Sequence, residues 1–222
     1  PLKSGQVYSM VSPYRYRTVP GLRAQTAPLT IAAADSGTGM STKTHPLTRG
    51  KKQQALALLQ AARLDEAKAL LEKICEMDRR DAEAWYLLGA IEHHYGRYKA
   101  AADCYERVVG LNPQNADAHY FLGNALWETN KTDEAADHYR QALAIRPDYV
   151  EAHCNLGMVL EQQKRYEQAA EHYRQAACID PARAELHYNL GNTLKAMDRY
   201  ADAEACYRRA LELRPDQVDA HN

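Results

Sequence analysis

The chain has 222 residues, 28 Lys and Arg against 29 Asp and Glu, and a formal net charge of -1. This balance gives no overall attraction for nucleic acid, and no apolar run approaches the roughly 18 residues that span a bilayer, so we expect neither a nucleic-acid nor a membrane partner. The five cysteines are odd in number and form no C-x-x-C pair, which disfavours a disulfide framework and makes the cytoplasm the expected location.

The first 47 residues differ in composition from the rest. They carry five Lys and Arg against a single Asp and hold five of the nine prolines. Without sustained periodicity, such a segment cannot bury a core, so we interpret residues 1–47 as a non-repeat segment that is disordered or extraneous. An Arg-rich, acid-poor transit peptide and a nucleic-acid-binding arm are the alternatives, and the native chain could start at Met40.

From residue 48 onward the sequence repeats every 34 residues. The residues that recur at this interval are Pro113, Pro147, Pro181 and Pro215, Gly89, Gly123, Gly157 and Gly191, and Ala101, Ala135, Ala169 and Ala203. A fixed period of this length predicts a solenoid in which each unit buries its apolar face on its neighbours.

Within each unit the pattern predicts a helix, a turn and a second helix. In the third unit, "DAHYFLGNALWET" places His119, Leu122 and Leu126 on one stripe of an amphipathic helix. Asn130 follows, and Asn tolerates the left-handed conformation that ends helices. After the second helix, "TDEAADHYRQALAI", Pro147 closes the unit because it removes a hydrogen-bond donor and restricts the residue before it.

Six residues of the second unit match the pattern W-x2-L-G…A-x3-F…P, with tyrosine in the aromatic slot: Trp85, Leu88, Gly89, Ala101, Tyr105 and Pro113. The chain therefore resembles the tetratricopeptide repeat family, which implies an all-α, right-handed α-solenoid. The predicted repeats are 48–81, 82–115, 116–149, 150–183 and 184–217. Residues 218–222, "VDAHN", match "VEAHC" at 150–154 and are interpreted as the start of a truncated sixth repeat.

Numbering each repeat from 1 to 34 gives the small residues a physical reason. Glycine at position 8 and alanine at position 20 are expected where the two helices of a repeat approach most closely, so that a larger side chain would force them apart. Gly157→Leu is accordingly expected to cost about 1–3 kcal/mol of stability.

The resemblance implies that the first helices of successive repeats line a concave groove. Helical geometry then directs positions 2, 5, 9 and 12 towards it. The predicted groove residues are Tyr86, His93, Tyr120, Asn124, Trp127, Asn155, Met158, Tyr188, Asn189 and Asn192. Amides can pair with a peptide backbone while aromatic faces cover its side chains, so this surface predicts an extended peptide or partner protein as ligand.

Asn155 and Asn189 both occupy position 6. They resemble the first rungs of the asparagine ladder that holds peptide backbone in proteins of the O-linked N-acetylglucosamine transferase type, although Leu87 and Phe121 interrupt such a ladder in earlier repeats. The alternative is that each asparagine satisfies a local backbone group.

Position 2 is acidic in successive repeats: Glu83, Asp117, Glu151, Glu185 and, in the sixth, Asp219. Acids in a first helical turn complement the helix dipole, which is a sufficient structural reason for them. A row of like charges along the groove could also favour a basic peptide.

The histidines invite a metal-site interpretation. Position 4 holds His119, His153, His187 and His221, and position 23 holds His138 and His172. Because these are the same slots of successive repeats, we expect them not to converge, and we predict no metal. No nucleophile, phosphate-binding loop or carboxylate pair stands out, so we predict no catalytic residue, no cofactor and no enzyme activity in the residues given.

The sequence thus predicts a protein-interaction scaffold. The alternative is the substrate-recruiting part of a larger enzyme truncated at Asn222, either a glycosyltransferase of the O-linked N-acetylglucosamine transferase type or a sulfotransferase. Self-association through exposed repeat ends is a further prediction.

Overall fold

The structure is a computed structural model that describes residues 46–214, all but the turns of which lie in ten consecutive helices. The helices are α1 Pro46–Gln60, α2 Leu64–Met77, α3 Ala82–His94, α4 Tyr98–Leu111, α5 Ala116–Glu128, α6 Thr132–Ile145, α7 Val150–Gln162, α8 Tyr166–Ile179, α9 Ala184–Ala196 and α10 Tyr200–Leu213. Within this range there is no strand, and the predicted all-α solenoid is confirmed.

Each predicted repeat supplies one helical hairpin, and helices that follow one another in the chain pack against each other. Helix α1 begins at Pro46, two residues before the predicted start of the first repeat. The interpretations of residues 1–45 and of the sixth repeat at 218–222 lie outside the described residues.

A left-handed residue ends the first helix of every repeat. Position 15 has a positive φ in all five hairpins, from 56° at Ala62 to 70° at Gly96. In the third repeat the backbone N–H of Lys131 then donates to the carbonyl of Leu126 at 2.9 Å, which closes the helix end. Lys164 adopts the same conformation with a φ of 59°, so the backbone geometry holds where the sequence offers no glycine or asparagine.

In the second to fifth repeats the two helices meet where the position-8 glycine faces a tyrosine ring at position 24. A Cβ added to Gly157 would lie 2.8 Å from Cε1 and Cζ of Tyr173, and one added to Gly191 would lie 2.6 Å from Cε1 of Tyr207. The buried alanines at position 20 were the expected neighbours, but the nearest atoms belong to tyrosine. The contact between the tyrosine ring and the glycine backbone therefore sets the distance between the two helices.

The first repeat joins the second through ion pairs. The ammonium group of Lys52 is buried between Asp81, at 2.7 Å, and Glu83, at 2.9 Å. Lys68 reaches across the same junction to the buried Glu92 at 2.7 Å. At the next junction the residues equivalent to this last pair are Ala102 and Leu126, which are both buried. At these two positions the first junction is therefore more polar than the second.

Candidate peptide-binding groove

The ten predicted groove residues differ widely in exposure. Tyr188 is 54% exposed, whereas Tyr86 and Asn124 are buried, at 8% and 7%. The other seven, namely His93, Tyr120, Trp127, Asn155, Met158, Asn189 and Asn192, are half-buried. The first helices of the repeats, α1, α3, α5, α7 and α9, form what we call the first-helix face. Tyr86 and Asn124 lie beneath its surface, and most of the other predicted residues remain partly accessible on it.

Two of the predicted asparagines bond to each other across a repeat boundary. Oδ1 of Asn124 accepts hydrogen bonds from the hydroxyl of Tyr139 and from Nδ2 of Asn155, both at 2.8 Å. Asn155 also lies 3.4 Å from the hydroxyl of Tyr120. Asn155 therefore links the third and fourth repeats through side-chain contacts. Neither of the two predicted roles, holding a peptide backbone or satisfying a local backbone group, includes these contacts.

In the third to fifth repeats, the hydroxyl of the position-24 tyrosine hydrogen-bonds to a side chain of the first helix. Tyr207 donates to Oδ1 of Asn192 at 2.9 Å and Tyr173 to a carboxylate oxygen of Glu161 at 3.1 Å. Tyr105 in the second repeat is the exception, because position 9 there is Ala90 and the buried hydroxyl has no hydrogen-bond partner among the described residues. The ring centroids of Tyr86 and Tyr105 are 5.7 Å apart, and the buried hydroxyl of Tyr86 also has no hydrogen-bond partner among the described residues.

The hydroxyl of Tyr139 is hydrogen-bonded and that of Tyr105 is not, so replacing each tyrosine by phenylalanine should affect stability differently. Tyr139→Phe removes a buried hydroxyl that is bonded to Asn124 and should lower the free energy of unfolding by about 1 kcal/mol. Tyr105→Phe removes a hydroxyl without a partner and should leave stability unchanged or raise it. Urea denaturation of the two variants measures both effects, and an equal loss in each would contradict the assignment of the hydrogen bonds.

Each described acid at position 2 pairs with a lysine or arginine of this chain. Arg146 binds Asp117 through two nitrogens, at 3.0 and 2.9 Å, and the hydroxyl of Tyr149 donates to the same carboxylate. Glu151 pairs with Arg183, Glu185 with Arg214 and Glu83 with Lys52. The predicted preference for a basic partner therefore gains no support from this row. Asp219 lies outside the described residues.

The cations at positions 31 and 34 were missed by sequence reasoning. The sequence pattern did not single out Arg146, Tyr149 and Arg183, whose side chains bind acids 29 to 32 residues earlier in the chain. A search for basic residues about one repeat after each position-2 acid would have found Arg146 and Arg183.

Glu161, on the first helix of the fourth repeat, is a carboxylate of another kind. It lies at position 12, and its two oxygens accept hydrogen bonds from the hydroxyls of Tyr173 and Thr193. Burial raises the pKa of Glu161, and the two hydroxyls offset this only in part. Within residues 48–214 it has no cationic side chain at ion-pair distance.

Histidines at positions 4 and 23 meet in pairs, which corrects the expectation that these slots do not converge. Nδ1 of His119 lies 3.0 Å from Nδ1 of His138, and His153 and His172 repeat the same geometry. Nε2 of His119 bonds to the carbonyl of Pro113, so its Nδ1 is the acceptor and His138 the donor. The described residues contain no group of three or more metal-ligating side chains.

These pairs predict a pH dependence of stability. Burial, with His153 and Arg140 nearby, lowers the pKa of His172 to about 4, below the value of about 6.5 in an unfolded chain. The unfolded state therefore binds more protons below pH 6.5, and stability is lost as the pH falls through that value towards 4. We expect a loss of about 1 kcal/mol at pH 5, after allowance for solvent screening.

The measurement is the urea midpoint at about pH 7.5 and pH 5 for the parent and for His172→Gln. The variant should lose less stability between the two pH values. Identical pH dependence in the parent and the variant would contradict the pairing.

Comparison with known protein families identifies the 34-residue repeat. Models of the tetratricopeptide repeat match residues 52–116, 95–150, 122–184 and 184–217. The chain belongs to the tetratricopeptide repeat family. A search of curated proteins finds no match. No helix within residues 46–214 is long and apolar enough to cross a membrane.

Solved tetratricopeptide repeat proteins share the fold. A crystal structure of MamA is 22% identical and covers 73% of this chain and 95% of its own, with a TM-score of 0.71. MamA from Desulfovibrio magneticus RS-1 is 21% identical and covers 79% and 99%, with a TM-score of 0.72. YrrB, a tetratricopeptide repeat protein described as having an unusual peptide-binding site, is 25% identical and covers 75% and 86%, with a TM-score of 0.68.

Proposed function

We propose that the protein is a protein-interaction scaffold that binds an extended peptide segment of a partner on its first-helix face, in repeats three to five. One observation carries the proposal: amide groups with unused hydrogen-bonding capacity lie beside partly exposed apolar side chains. Asn189 makes no side-chain hydrogen bond to the described residues, and Oδ1 of Asn155 and Nδ2 of Asn192 are similarly unused.

An extended peptide matches these groups chemically. Its backbone offers one donor and one acceptor per residue, and an amide side chain can bind both. Tyr120 and Trp127 are half-buried and pack against the core on one side, so they offer fixed apolar surface to a ligand at low entropic cost. The similarity to YrrB supports peptide binding as the activity.

The test is selection of binders from a phage-displayed random 12-residue peptide library. We expect the parent protein to enrich peptides, and Tyr120→Ala combined with Trp127→Ala to bind them at least tenfold more weakly, which corresponds to about 1.4 kcal/mol. A matched control is Tyr166→Ala combined with Tyr200→Ala, which removes two aromatic rings from the starts of second helices.

Circular dichroism establishes that both double variants keep the helical content of the parent. Undiminished peptide binding by the folded Tyr120 and Trp127 variant, or equal weakening in the control, would overturn the assignment of the groove.

A further inference from the structure

Glu161 differs from the position-2 acids of the first helices in having no counter-charge among residues 48–214. The position-2 acids Glu83, Asp117, Glu151 and Glu185 all pair with lysine or arginine of this chain. Among residues 48–214 the neighbours of Glu161 are neutral hydroxyl groups. A half-buried carboxylate of this kind has given up part of its hydration without gaining an opposite charge.

The surroundings hold this carboxylate in place. Tyr173, which is fully buried, donates to one oxygen, and Thr193, also fully buried, donates to the other. Because each carboxylate oxygen can accept two hydrogen bonds, both retain capacity after these contacts. Two donors from two different helices, α8 and α9, fix the orientation of the group before any ligand arrives.

The neighbouring side chains suit the stem of a long basic residue. Met158 lies one turn earlier on α7, three residues before Glu161, and is half-buried. Lysine and arginine lay their methylene groups along apolar surface while their charged heads reach a carboxylate.

We propose that Glu161 is a specificity-determining residue of the groove, which selects peptides that place a lysine or arginine side chain on its carboxylate. This inference rests on the proposed function. It identifies the partner as a segment with a basic residue opposite the junction of the fourth and fifth repeats. The raised pKa of Glu161 is consistent with it, since a bound cation would favour the ionised form.

The experiment compares peptides selected from the same random library by the parent, by Glu161→Gln and by Glu167→Gln. Glutamine has the shape of glutamate: its carbonyl oxygen can accept from one hydroxyl while its NH2 group donates to the other. Thermal melts establish that the fold is kept. Glu167 is an exposed acid in the first turn of α8, so its replacement changes net charge equally, away from the groove. We expect a lysine or arginine at one peptide position for the parent and for Glu167→Gln, and its loss for Glu161→Gln.

Synthetic peptides then measure the effect. Replacing the selected basic residue by leucine should weaken binding to the parent about tenfold or more and binding to Glu161→Gln by less than about twofold, because a charge-assisted hydrogen bond is lost only in the first case. If the parent selects peptides without a basic residue, or if leucine weakens both proteins equally, the inference fails while the proposed function stands. If the parent selects no peptides, both fail.

Discussion

Replacing Gly157 by leucine is expected to lower the free energy of unfolding by about 1–3 kcal/mol. The Cβ alone would meet the Tyr173 ring at 2.8 Å, a separation that real Cβ atoms essentially never show, and the rest of the leucine would have to enter the same space. The ring cannot retreat easily, because Tyr173 is fully buried and its hydroxyl is bonded to Glu161. The helices of the fourth repeat must therefore separate.

Urea denaturation measures this loss, and Gly110 provides the control. Gly110 lies in α4 with nothing within 4 Å of an added Cβ, so Gly110→Ala should raise stability by about 0.5–1 kcal/mol through helix propensity. A Gly157→Leu protein as stable as the parent would show that the contact with the tyrosine ring does not set the helix separation.

Removing the carboxylate of Asp81 is expected to cost about 3 kcal/mol. Asp81 is 2% exposed, and its side chain both caps α3, by accepting from the backbone N–H of Ala84 at 3.0 Å, and binds the buried ammonium of Lys52 at 2.7 Å. Asp81→Ala therefore loses a helix cap and leaves a buried positive charge with the half-exposed Glu83 as its remaining partner. The presence of Glu83 places the effect at the low end for a broken buried pair.

Asn115 separates the two contributions, because it occupies the same position of the next repeat. Its side chain accepts from Ala118 N–H at 3.0 Å and has no ion pair, so Asn115→Ala should cost about 1 kcal/mol, the worth of the cap alone. The double variant Lys52→Met with Asp81→Asn keeps the cap and removes the buried charge, and should recover most of the loss. Equal losses for Asp81→Ala and Asn115→Ala, by thermal or urea denaturation, would mean that the ion pair contributes nothing.

The fold could be predicted because its determinants recur in the sequence. A period of 34 residues, with glycine, alanine, tyrosine and proline in fixed slots, marks the second to fifth hairpins, and the observed helices follow it to within two residues at the start of the first repeat. Gly157 was recognised as a close-packed position from this recurrence alone. Its actual neighbour, Tyr173, was not recognised, because spacing along a chain does not give the direction of a side chain.

The groove was harder to predict because its polar residues bond to one another in ways that helical periodicity cannot show. Asn124 was expected at the surface and is buried, with hydrogen bonds to Asn155 and Tyr139. The acids at position 2 were expected to complement the helix dipoles, with a charged groove edge as the alternative. Their basic partners lie 29 to 32 residues away and meet them only when the hairpin closes. The histidine pairs depend on the same closure, since positions 4 and 23 belong to different helices of one repeat.

The placement of the tryptophans has a practical consequence for following ligand binding by light. The chain has two, Trp85 and Trp127. Trp85 donates its indole N–H to the carbonyl of Arg79 at 3.2 Å, near the junction of the first two repeats, whereas Trp127 is half-buried on the groove face. A Trp85→Phe protein would carry a single indole at the proposed contact surface, so its emission spectrum would report groove occupancy without any attached dye.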